Sequence, residues 1–191
     1  GPLEWRLGGD PGNTADLIGS SMEQQWGYRI YDGELQILPD NNAADPNADL
    51  SSTSEGWRAI LPNADDDGYT LVTPGSEGTL HWNWRGQKIV LDTQCDDLTA
   101  GSQGTKFTEL TANTARLPYV PTIVKELGLF PTGPEDLTEG YCYVNFAEGE
   151  FFPRRGGAYH YTERSGLGYV SASFERDFAI SYYGGRARAM E

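Results

Sequence analysis

The chain has 191 residues, enough to bury a sizeable core as one large domain or two small ones. Its 24 glycines, 11 prolines and 12% aromatic content favour many short strands and turns over long helices. A net charge of −14 argues against a nucleic-acid partner, and no run approaches the roughly 18 apolar residues of a membrane span.

The start lacks the basic and apolar regions of a signal peptide, although Gly1-Pro2 looks like a protease-cleavage scar and leaves a removed leader open. Asn13-Thr14 can cap a short helix in which Ile18, Met22 and Trp26 recur at spacing four, with Gly27 as the stop. Asp32-Gly33 then separates two alternating runs, 28–31 and 34–38. That is the signature of a two-residue hairpin, whose central positions both need positive φ.

Residues 39–55 read as a long polar loop. Strands are expected at 57–61, 69–73, 79–84 and 87–92, separated by Asp65-Asp66-Asp67-Gly68, by residues 74–78 and by Arg85-Gly86. Residues 93–120 are polar and turn-rich. Pro121, Ile123, Val124, Leu127 and Gly128 predict a short helix, followed by a Pro/Gly loop and a strand at 141–146. Further strands are expected near 167–174, 178–183 and 186–190.

Candidate chemistry is sparse. Asp40, Asn41, Asn42, Asp45, Asn47 and Asp49, and separately Asp65 to Asp67, offer oxygen ligands of the kind Ca²⁺ prefers. Neither group matches the twelve-residue calcium loop, so no metal is assigned. His81 and His160 are the only histidines and sit in no hydrolase frame, and His81 reads as an ordinary strand residue. Cys95 and Cys142 lack metal spacing and are either buried thiols or a pair. No catalytic residue and no cofactor is assigned.

The tail is distinctive. Residues 154–191 carry six arginines against four acids, about +2, which leaves −16 for the rest of the chain. Nine of the chain's 23 aromatics lie in 151–191, five of them tyrosines. In residues 169–175, Tyr169, Ser171, Ser173 and Glu175 alternate with Val170, Ala172 and Phe174, which predicts a solvent face opposite a core face.

Arg155-Gly156-Gly157-Ala158-Tyr159, Ser165-Gly166 and the terminal Gly185-Arg186-Ala187-Arg188-Ala189 resemble the C-type-lectin-fold variable proteins of diversity-generating retroelements. That group includes phage tropism determinants, which are receptor-binding proteins of the tail tip. Formylglycine-generating enzymes have a similar tail, but they need redox-active cysteines near the motif, and none lies beyond Cys142.

The resemblance implies an α+β fold of C-type-lectin type over residues 93–191, preceded by a β-rich segment over 1–92 that could share one domain with it. It implies a non-enzymatic receptor-binding protein of a phage, prophage or cell surface. The partner would be a protein or glycan receptor, with no membrane insertion and with homo-oligomerisation left open. The glycines and Arg186 would be fixed supports. The binding face would comprise His160, Tyr161, Glu163, Tyr169, Ser171, Ser173, Arg176, Asp177, Tyr182 and Tyr183. Alternatives are a Ca²⁺-dependent carbohydrate-binding lectin module and an enzyme of unknown class.

Overall fold

The computed structural model describes residues 23–24, 27–40, 45–135, 138–156 and 166–176. They form twelve strands: β1 (Glu23–Gln24), β2 (Tyr28–Tyr31), β3 (Glu34–Ile37), β4 (Arg58–Pro62), β5 (Tyr69–Val72), β6 (His81–Arg85), β7 (Lys88–Asp92), β8 (Gly101–Lys106), β9 (Thr111–Ala112), β10 (Tyr141–Phe146), β11 (Glu150–Gly156) and β12 (Gly166–Phe174). The only α-helix among the described residues is α1 (Thr122–Glu126), ended by Gly128 at φ +66°. The expected α+β, lectin-type architecture is therefore corrected to a mostly β fold. Among the described residues, dense glycines and prolines leave apolar helical periodicity only one short segment.

The expected N-terminal helix is corrected at its far end as well. Glu23 and Gln24 pair antiparallel with Arg155 and Arg154, so the unpaired edge of β11 decides their conformation over a weak local helical pattern. The rest of that segment lies outside the described residues, as do the expected strands at 178–183 and 186–190.

One mixed sheet runs in the order β8-β10-β12-β11-β2-β3-β6-β7-β9, with β4 and β5 branching from β3. Strand β11 is its hinge, antiparallel both to β12 and to β2. The sheet folds over so that β8 returns beside β7, where the Ile89 N–H donates to Thr105 Oγ1 at 3.0 Å. Across the interior, Trp84 of β6 faces Phe146 of β10 with ring centroids 5.9 Å apart. The larger of two buried clusters draws Tyr28, Ile30, Leu35, Trp82 and Leu91 from one half of the sheet and Cys142, Val144, Phe146 and Val170 from the other, and the smaller gathers Leu38, Trp57 and Phe152. Both sequence segments, 1–92 and 93–191, thus contribute to one interior.

The expected hairpin is present. Asp32 and Gly33 take φ +49° and +81°, joining β2 to β3 in register Ile30 opposite Leu35. The β6–β7 hairpin turns at Gly86 and Gln87, φ +58° and +61°, one residue beyond the expected dipeptide. Strand β10 matches its expected bounds and alternates half-buried with buried residues along its length.

Candidate functional site

Four residues of the predicted binding face, Tyr169, Ser171, Ser173 and Arg176, are among the described residues. Tyr169 and Ser171 are 2% exposed, Ser173 is half-buried with its hydroxyl 3.0 Å from that of Ser102, and Arg176 is half-buried. Strand β12 is flanked by β10 on one side and β11 on the other, and Tyr169 packs on Tyr143 at 5.9 Å between ring centroids. The Tyr143 ring against Tyr169 takes part of the face that alternation alone would leave to solvent. Val170 is buried as expected, whereas Phe174 is only partly so. His160, Tyr161, Glu163, Asp177, Tyr182, Tyr183 and Arg186 lie outside the described residues.

A different surface gathers chemistry. The strand register sets Glu150, Tyr31, Glu34, His81 and Asp92 opposite one another across β11, β2, β3, β6 and β7. Their immediate neighbours on β2, β3, β6 and β7 (Ile30, Leu35, Trp82 and Leu91) point into the core, so this row lies on the other face of the sheet, where Glu34 and Asp92 are nonetheless buried. Beside it, Arg29 stands opposite Gln36.

The row is ordered by hydrogen bonds. Arg29 Nε donates to Gln36 Oε1 at 2.9 Å, and Gln36 Nε2 donates to Glu34 Oε1 at 2.8 Å. Glu34 also accepts from the Gly75 N–H at 3.1 Å and from the Thr79 hydroxyl, which ties the loop before β6 to the sheet. The Arg29 guanidinium lies between the rings of Trp57 and Tyr31, 4.0 and 4.9 Å from their centroids, and donates through Nη1 to Ser52 O at 2.8 Å and to Glu150. Burial pushes the Arg29 pKa below its ordinary value, against the pull of Glu150.

Glu150 is held from both sides. Besides Arg29, it accepts Arg176 Nε and Nη2 at 3.0 and 3.1 Å, a two-point contact. Arg176 also donates to Leu50 O at 3.1 Å and covers the Phe152 ring. At the other end of the row, Asp92 accepts Arg116 Nε and Nη2 at 2.8 and 2.7 Å, Asn83 at 3.0 Å, Asn113 at 3.1 Å and the Thr93 N–H at 2.7 Å. Burial opposes the Asp92 charge, but these donors outweigh it and hold the carboxyl well below its usual range.

Between the two ends an open cleft of about 300 Å³ is lined by Arg29, Tyr31, Asp32, Glu34, Gln36 and His81, with the Pro74-Gly75 turn as a wall. Tyr31 is 40% exposed. His81 Nδ1 is 2.7 Å from Thr79 O. A carbonyl only accepts, so Nδ1 carries the proton and Nε2 remains as an acceptor.

The acidic loop residues serve their own backbone. Asp45, Asp49 and Asp66 accept the N–H groups of Asn47, Ser51 and Gly68 at 2.8, 3.0 and 2.8 Å. Among the described residues no cluster of three or more His, Cys, Asp or Glu is arranged to hold a metal, and no helix is long and apolar enough to cross a membrane. Both cysteines are free; burial pushes the Cys142 thiol up to about 12, against the nearby Arg155. No protein-family model matches the chain, and no curated protein matches it.

Part of this site is written in the sequence. Alternation through β2 and β3 and the Asp32-Gly33 turn juxtapose Arg29 with Gln36 and Tyr31 with Glu34. His81 joins them only through the pairing of β3 with β6. Glu150 arrives from a strand without a legible pattern, since residues 150–156 carry Pro153 and two adjacent arginines.

Proposed function

We propose that this chain is a ligand-binding protein that attaches a phage or prophage particle to a molecule of a bacterial surface. One observation carries the reading of ligand binding: the outward cleft of β2, β3 and β6, in which charged and amide side chains are already oriented by one another beside an exposed tyrosine. Side chains fixed before the ligand arrives lose little freedom on binding. The setting of phage attachment draws on the tail's resemblance to receptor-binding variable proteins, and the tail residues Tyr182 and Tyr183 belong to a second contact in the same proposal.

Fluorescently labelled protein mixed with a panel of bacterial strains tests it. Wild type should decorate some strains and not others, and Tyr31→Ala combined with His81→Ala should reduce decoration at least tenfold. Undiminished decoration by the double variant would remove the cleft from the recognition surface. Chelation of divalent cations should leave decoration unchanged, because the loop carboxylates already bond their own backbone.

A further inference from the structure

We infer that the cleft beside Arg29 is a saccharide site that takes one pyranoside ring. The inference rests on the ligand-binding reading above and names the chemistry of the ligand. Three features of the cleft select it.

The first is charge. Arg29 is the only cation among the lining residues named above; it shares the cleft with the carboxylates of Asp32 and Glu34 and pairs with Glu150. A phosphate or sulfate would meet two carboxylates, and the Gly75 N–H is already given to Glu34. A cation would meet the guanidinium. A neutral ligand avoids both conflicts.

The second is the balance of donors and acceptors left over. Arg29 uses Nε and Nη1, and its Nη2 makes no hydrogen bond among the described residues. Asp32 accepts the Gly149 N–H with Oδ1 at 2.7 Å, and its second oxygen accepts nothing among the described residues. His81 Nδ1 is taken by Thr79 O, leaving Nε2. One donor and two acceptors thus remain among the residues that line the cleft. A ligand that satisfies them must itself donate and accept at adjacent positions, as neighbouring sugar hydroxyls do.

The third is the aromatic surface. The Tyr31 ring lies against the Arg29 guanidinium and is 40% exposed, so it offers apolar area for the C–H face of a pyranose. A volume of about 300 Å³ suits one such ring and leaves the remainder of a longer glycan in solvent.

The test follows backbone amide resonances of the intact chain while methyl α-glucoside, methyl α-galactoside, methyl α-mannoside, N-acetylglucosamine and, separately, orthophosphate are added. At least one sugar should shift Tyr31, Asp32, Gly75 and His81 saturably, in the millimolar range expected of a single ring. Tyr31→Ala should weaken that binding at least tenfold, while His81→Gln, which keeps a polar group, should weaken it less. Both variants should melt with wild type, since Tyr31 is exposed and His81 only half-buried. The inference falls if no sugar shifts these four residues, if the shifts persist unchanged in Tyr31→Ala, or if orthophosphate alone shifts them. Should it fall while bacterial decoration still depends on Tyr31 and His81, ligand binding at the cleft stands and only the ligand class is wrong. Should decoration not depend on them either, both fail.

Discussion

The two ends of the polar row use the same parts, a carboxylate gripped by arginine, to opposite ends. Asp92 is fully buried and takes donors from Arg116, Asn83, Asn113 and Thr93, which lock the chain after β7 against the sheet. Around Glu34 and Arg29 the buried groups bond chiefly to one another, and the residual donors and acceptors of Arg29, Asp32 and His81 are left to the cleft. A saturated carboxylate is a pin; a connected set with valences left toward water is a site.

The largest effect should come from the turn that carries the open end. Gly33→Val forces a β-branched residue to φ +81° and puts its Cβ 2.7 Å from Cys95 Cβ. It should cost about 3–5 kcal/mol in urea unfolding, with Cys95 becoming accessible to thiol reagents. A loss under about 1 kcal/mol would show that the hairpin does not hold the cleft.

Next comes the closed end. Asp92→Asn swaps a carboxylate oxygen for an amide donor facing Arg116, Asn83 and Asn113, and should cost about 2–4 kcal/mol at neutral pH without altering ligand affinity. The pH dependence has a fixed sign. Because the folded pKa is depressed, the charge of Asp92 contributes fully above its unfolded value, about 3.9, and the contribution fades as pH falls through the folded value. Wild type and Asp92→Asn should therefore differ by a constant amount from about pH 7 to pH 5 and converge in strong acid. A difference that shrinks between those two pH values would point to another group.

The smallest effect should come from the clamp behind the cleft. Arg176 is partly exposed, so Arg176→Ala should cost only about 1–2 kcal/mol after allowance for solvent screening. It also removes one of the two arginines on Glu150. If the open end is a site and not a second pin, ligand affinity should fall more than stability does, and equal changes in the two would erase the distinction.

The sequence alone determined what contiguous residues control. The Asp32-Gly33 turn, the strand at Tyr141–Phe146 and the helix stopped by Gly128 follow from φ preferences and local periodicity, which need no partner. The placement of Arg29, Tyr31, Glu34 and Gln36 on one face of the sheet follows from the same alternation once the turn fixes register. Only tertiary structure decided the rest. Strand β8 has Thr105 as its one buried residue and therefore no hydrophobic pattern to read, and it is a strand because β10 pairs with it. Alternation in β12 was legible, but Tyr169 and Ser171 are both buried, with the Tyr143 ring of β10 packed against Tyr169, a contact no local pattern encodes. Glu150 meets Arg29 across 121 residues of chain, and no local propensity encodes a contact whose partner is chosen by the closing of the sheet.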